Sequence, residues 1–256
     1  MSDLPNFKSM FSLEGKTAVV TGGSRGLGLH MATAFLQAGC SLVVVTARKL
    51  EGEQGIEQAV RRLNALPGVR GRAVGLAANV ANSDDIVRLV GQVKDLVGSK
   101  GLNILVCNAG AAWGSRFEDA PPSSSVKILD LNVRGVFELA QKFLPLLEAA
   151  GSKKDPSRVL TISSTAGTNV PHVGEHGTIM YSVSKAAAHV SLPYHHGSVS
   201  SPLCSRKSHP ALGEESGDRT GAAEHHIQRY RAGLFPFQAC ARLDRKPRRY
   251  RGIKPG

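Results

Sequence analysis

No stretch of this 256-residue chain approaches the roughly 18 consecutive apolar residues that a membrane-spanning helix requires. The opening segment, MSDLPNFKSMFSLEGK, also lacks the apolar core of a secretory signal. Cysteine is scarce, and Cys40, Cys107, Cys204 and Cys240 stand far apart with no CxxC pair, which argues against both a zinc site and a disulfide framework. These absences predict a soluble, cytoplasmic protein with reduced thiols, no metal and no membrane partner. The length suits one sizeable domain.

Acidic residues are too few to balance the basic ones, and the chain carries a formal net charge of +12. A surplus of that size ordinarily raises nucleic acid as a partner. Its distribution argues otherwise. Residues 190–256 hold 12 Lys and Arg against 5 Asp and Glu, leaving 20 against 15 for residues 1–189. The body of the chain is only mildly basic, so no nucleic-acid partner is expected. A binding arm built on Arg248, Arg249 and Arg251 is the less favoured reading of the tail.

What the first 189 residues do contain is an alternation of short β-branched runs with longer amphipathic stretches, the pattern of βαβ units and a parallel sheet. Strands are predicted at TAVVTG (17–22), SLVVVT (41–46), RAVGLA (72–77), NILVCN (103–108) and RVLTIS (158–163). Apolar residues three and four apart predict helices near 26–38, 50–65, 83–97 and 123–147, with another opening near Met180. The fold class expected is α/β, a Rossmann-like doubly wound parallel sheet. After His189 neither period 2 nor period 3.6 survives, and no core element is assigned. The organisation predicted is an N-terminal extension at 1–12, a dinucleotide-binding and catalytic region at 13–189, and a disordered basic tail at 190–256.

Three features of that region carry chemistry. The first strand runs into Thr21-Gly22-Gly23-Ser24-Arg25-Gly26-Leu27-Gly28 and then a helix. Glycines there permit a tight turn and let backbone N–H groups approach a pyrophosphate at the helix N-terminus, where the dipole favours negative charge. The second strand ends in Val45-Thr46-Ala47-Arg48-Lys49, with no carboxylate to accept from a ribose 2′-hydroxyl. Arg48, with Arg25 in the turn, suits a 2′-phosphate instead, which favours NADP(H). The alternative is that Arg48 and Lys49 are solvated residues at a helix start. Tyr181 and Lys185 stand four apart in YSVSK, on one helix face. An ammonium beside a phenol favours the phenolate, which suits a group that exchanges a proton with an alkoxide.

In this order, TGGSRGLG (21–28), CNAG (107–110), LNVRG (131–135), ISSTAG (162–167) and YSVSK (181–185) resemble the motifs of the short-chain dehydrogenase/reductase family, with a flavour similar to fungal and bacterial 3-oxoacyl-carrier-protein reductases. The resemblance covers about residues 13–189. It implies Tyr181 as general acid, Lys185 as the residue that holds the ribose hydroxyls, Ser164 on the substrate carbonyl oxygen and Asn132 on the water of a proton relay. It further implies that Gly22, Ser24, Arg25, Gly26, Leu27, Gly28, Arg48, Asn108, Ala109 and Gly110 line the cofactor. Asn79 stands where the family commonly has an Asp against adenine. His172 and His176, between Ser164 and Tyr181, are expected at the rim of the site rather than on a metal. The function implied is NADP-dependent reduction of a ketone, of β-keto or polyketide-like type, to an alcohol. The family is usually homo-oligomeric through its long central helices.

The resemblance stops at Val190, where the family continues with a long helix, another strand and an Asn-x-Ile-x-Pro-Gly segment. The genetic code offers a reason. Gln228-Arg229-Tyr230-Arg231-Ala232-Gly233 require middle bases A, G, A, G, C and G, which are the first bases that Asn-Val-Ile-Ala-Pro-Gly requires. Val190-Ser191 can be encoded GTAAGT, a splice donor, and Pro210-Ala211 can contain CAG, an acceptor. The tail therefore reads as a retained intron followed by an out-of-frame exon, in a eukaryotic, fungal type of gene. The alternative function is accordingly a catalytically inactive product that retains a partial dinucleotide-binding fold, with the sheet's last strands missing and assembly through the shortened helix undercut.

Overall fold

A computed structural model describes residues 10–170, 174, 176–190 and 199–200. Its parallel sheet contains β1 (Thr17–Thr21), β2 (Leu42–Ala47), β3 (Arg72–Ala77), β4 (Ile104–Cys107), β5 (Ser157–Thr161) and β6 (Val199–Ser200), in the spatial order β3-β2-β1-β4-β5-β6. The helices are α1 (Gly26–Gln37), α2 (Ile56–Asn64), α3 (Ser83–Val97), α4 (Pro122–Leu129), α5 (Gly135–Ala150) and α6 (Ile179–Val190). A π-wound turn, Asp130–Arg134, joins α4 to α5.

The strands are apolar on both faces because helices cover both. Successive residues of one strand enter different cores: Ala18 and Val20 pack with Val43, Val45, Ile104 and Val106, whereas Val19 packs with Val44, Leu105 and Cys107. The first layer is closed by Ala32 and Leu36 of α1 with Ile56 and Leu63 of α2. The second is closed by Ile86, Leu89 and Val93 of α3 with Leu139, Phe143 and Leu147 of α5. Each buried Val or Leu contributes about 1.5–3 kcal/mol relative to exposure, which is why the sheet needs no polar anchoring at its centre.

Strand order reverses between β1 and β4, so the ends of these strands, Thr21 and Cys107, flank a crevice at the topological switch point where open α/β sheets bind ligands. One sequence expectation needs correction. The second helix begins at Ile56, not near 50, because Gly52 lies at φ 91° and Gly55 adopts an extended cap. In the tail, where the sequence offers no core element, Val199–Ser200 pairs in parallel with Ser157–Arg158 at the sheet edge. A two-residue strand joined through backbone alone leaves no periodicity to read. The rest of the tail lies outside the described residues.

Candidate functional site

The glycine turn is shaped by the strand across the switch point. Asn108, just past β4, donates through Nδ2 to the carbonyls of Thr21 at 2.8 Å and Gly22 at 3.2 Å. The Thr21 hydroxyl donates to the Val106 carbonyl at 3.1 Å and accepts from the N–H groups of Asn108 and Ala109, each at 3.0 Å. Helix α1 then starts flush against the turn. A Cβ on Gly28 would lie 2.3 Å from the Gly22 carbonyl oxygen, and Gly22 itself sits at φ 66°. With no acidic residue in its first turn and Arg25 at its cap, α1 presents an uncompensated positive end to the crevice. Ser24 is half-buried beside it, while Gly26 and Leu27 are exposed, Leu27 at 68%.

A second cluster gathers on α6, the π-wound turn and the end of β5. Lys185 is 6% exposed, yet its ammonium donates to the Ile162 carbonyl at 2.8 Å and stands 5.7 Å from the Tyr181 ring centroid. Burial holds its pKa below the usual lysine value. Ser163 donates to the Lys185 carbonyl at 2.9 Å, which pins α6 to β5. Ser164 adopts extended backbone and its Oγ accepts from the Ala166 N–H at 3.2 Å. Asn132 is 2% exposed, and its side chain bridges three partners. Oδ1 accepts from the Ala111 N–H at 3.1 Å, while Nδ2 donates to the Ala111 carbonyl and to Ser184 Oγ, both at 3.0 Å. The segment at Gly110 lies between: a Cβ there would be 3.1 Å from Asn132 Oδ1 and 3.5 Å from Lys185 Nζ. The loop after β4, the π-wound turn and α6 thus bring Gly110, Asn132, Tyr181 and Lys185 into one neighbourhood.

Arg25 and Arg48 are both exposed near the crevice, at the ends of the turn and of β2. Asn79, after β3, uses its side chain locally: Oδ1 accepts from the Ala81 N–H at 3.2 Å, and its own N–H donates to Asp85 at 2.7 Å. That bond, with the Arg88 side chain, holds the Asp85 carboxyl below the usual range. Among the described residues no group of His, Cys, Asp and Glu could hold a metal, and no helix is long and apolar enough to cross a membrane. His172 lies outside the described residues. His176 is exposed, and the segment it belongs to lies against the loop that follows β4: the Ser115 N–H donates to the Gly177 carbonyl at 3.1 Å.

Sequence reasoning missed several supports. Thr21 and Ser184 lay inside recognised motifs, but hydroxyls that tie two motifs together carry no spacing signal. Arg134, in LNVRG, bonds Asp130 at 2.8 Å, Glu138 at 3.0 Å and Ser83 at 3.1 Å, and also donates to the Ala81 carbonyl. It joins the π-wound turn to the loop of Asn79.

Residues 16–191 match the model of the short chain dehydrogenase family. The chain is 38% identical to the rhamnolipids biosynthesis 3-oxoacyl-[acyl-carrier-protein] reductase of Pseudomonas aeruginosa over 70% of its length and 65% of that enzyme's. It is 30% identical to the trihydroxynaphthalene reductase of Colletotrichum orbiculare, over 66% of this chain and 57% of the other. Among solved structures it resembles the Pseudomonas aeruginosa RhlG/NADP active-site complex, with a TM-score of 0.61 at 38% identity, covering 70% of this chain and 65% of that one. The chain thus spans less than two thirds of these relatives. A glycine turn locked across a switch point, a buried lysine over a tyrosine and a family match through both have one reading: this chain belongs to the short chain dehydrogenase family.

Proposed function

We propose that the site performs NADPH-dependent reduction of a ketone to an alcohol. The observation that carries the proposal is that Asn132 and Lys185 meet at Gly110, with Tyr181 beside Lys185, next to a turn whose close packing against Asn108 and α1 requires that Gly22 and Gly28 lack side chains. When bound, NADPH supplies the hydride. Gly22, Ser24, Arg25, Gly26, Leu27 and Gly28 would hold its pyrophosphate end, with the α1 N-terminus favouring the negative charge. Arg25 and Arg48, exposed and cationic, suit the 2′-phosphate better than a 2′-hydroxyl. Asn79 would approach the adenine, and Asn108, Ala109 and Gly110 would form the wall of the cleft.

The remaining steps belong to this chain's own side chains. Ser164 Oγ accepts from Ala166, which leaves its proton to be donated to the substrate carbonyl oxygen. The Tyr181 hydroxyl delivers a proton to the same oxygen as it becomes an alkoxide. Lys185 stabilises the phenolate left behind, and the ribose hydroxyls would lie against its ammonium. Both Nδ2 protons of Asn132 are committed, so a relay water there must donate to Oδ1 or bind to the main chain.

The test is titration of NADPH emission with the full-length chain, followed by turnover on a generic diketone. Binding with turnover supports the proposal, and absence of NADPH binding overturns it. A second reading, a non-catalytic binder, is favoured by the limited share of the relatives' length that the chain spans. Binding without turnover would select it.

A further inference from the structure

The loop between β4 and α4 combines a fixed backbone with exposed aromatic rings. Ala111 is held to Asn132 by two hydrogen bonds, at 3.1 and 3.0 Å, so the loop leaves directly from the site. It is fastened again where Ser115 donates to Gly177, four residues before Tyr181, and a Cβ on Gly114 would lie 2.9 Å from the His176 carbonyl oxygen. Between and just beyond these anchors stand Trp113, 54% exposed, and Phe117, 73% exposed, while Val170, on the segment after Ser164, is 44% exposed. An aromatic ring left in water on a pinned loop forgoes the stabilisation of burial, and continuity with the site gives it an occupant.

The charges of the loop narrow that occupant. Arg116 is the single cation between Ala111 and Pro122, and it is shared by Glu118 at 3.8 Å and Asp119 at 3.7 Å. An acyl group delivered on a phosphopantetheine arm would bring a phosphate to this rim, and a phosphate calls for free Arg or Lys donors. An uncharged ring system calls for aromatic faces.

We propose, resting on the ketone-reductase reading above, that Trp113 and Phe117 form the substrate rim and select an uncharged aromatic or fused-ring ketone over a phosphate-bearing acyl thioester. Trp113 is the chain's only tryptophan, so its emission reports on the rim alone.

The experiment titrates 2-tetralone and, separately, acetoacetyl-coenzyme A into the full-length chain, with and without NADP, following Trp113 emission; NADPH emission is measured in parallel. Saturable quenching by 2-tetralone is expected, with binding at least about tenfold tighter than that of the thioester. Phe117→Ser should weaken 2-tetralone about tenfold while leaving NADPH binding unchanged. In Trp113→Ala, equilibrium dialysis of 2-tetralone should reveal a comparable loss, recovered by Trp113→Phe. Equal or tighter binding of the thioester, or a Trp113 signal indifferent to 2-tetralone, overturns the inference. Loss of NADPH binding alone overturns the cofactor reading instead, since the cofactor-free titration still reads the rim.

Discussion

Asn132 and Ser184, 52 residues apart, meet through a 3.0 Å hydrogen bond from Nδ2 to Oγ that ties the π-wound turn to helix α6. Ser184 in turn donates to the Tyr181 carbonyl at 2.7 Å and is fully buried. The position of Tyr181 therefore depends on an amide two elements away. Asn132→Ala would remove the bond to Ser184, whose hydroxyl keeps its partner at the Tyr181 carbonyl, and both bonds to Ala111, an exposed residue. We expect a loss of about 1–3 kcal/mol of stability, given a net contribution of about 0.5–1.5 kcal/mol for each hydrogen bond lost and water to replace those at Ala111. Urea unfolding midpoints check this, and a loss under about 0.5 kcal/mol would show that the bridge is not structural.

Gly28→Ala forces a methyl group to within 2.3 Å of the Gly22 carbonyl oxygen and 2.6 Å of Asn108 Nδ2. Something in the turn must move, and NADPH affinity should fall more than about tenfold. The companion Gly26→Ala meets open space but occupies φ 54°. It should cost about 1 kcal/mol of stability and spare the turn's shape. Equal affinities for the two variants would contradict the steric account.

Arg48→Asp replaces the cation at the end of β2 with an acceptor suited to a ribose hydroxyl. NADPH should weaken about 10–100-fold and NADH should tighten, each measured by nucleotide fluorescence. An unchanged ratio would mean that Arg48 is only a solvated side chain.

Cys40 and Cys107 are buried, and burial pushes their thiols up to about 11 and about 12 from an ordinary 9.0. Since the folded values are raised, this contribution to stability is fully present below pH 9 and declines as pH rises towards 11 and 12. Alkylation at pH 8 followed by peptide mapping should find both thiols unmodified in the native chain and modified in urea. Urea midpoints should be lower at pH 10.5 than at pH 8.

Sequencing the transcript across the codons of residues 186–215 tests the out-of-frame reading of the tail. A spliced form that restores Asn-x-Ile-x-Pro-Gly is expected. Continuous transcripts alone, with no spliced form, would overturn it.

The sheet was legible because β1, β2 and β4 are buried on both faces, which compresses their composition to Val, Ile, Leu and Ala with little else. The start of α2 was misplaced because its preceding segment has helical spacing, and only the glycines at 52 and 55 break it. Strand β6 was invisible because edge pairing over two residues is a backbone event. Within the site, the motifs marked the residues that face the cleft. They could not reveal that Thr21 and Asn108 clamp one another or that Asn132 reaches Ser184, since such bonds depend on the fold's long-range closure.

The Asn108 clamp has one more consequence. The residues it joins to the glycine turn are 86 and 87 positions away, so the cradle acquires its shape only after β4 has docked beside β1. Pairing at such separation is the slow kind of folding event, limited by the entropy of closing a long loop. A dinucleotide offered during refolding should therefore bind late. Its capture would time the completion of the sheet, which makes the ligand a clock for topology and not merely a probe of a glycine-rich loop.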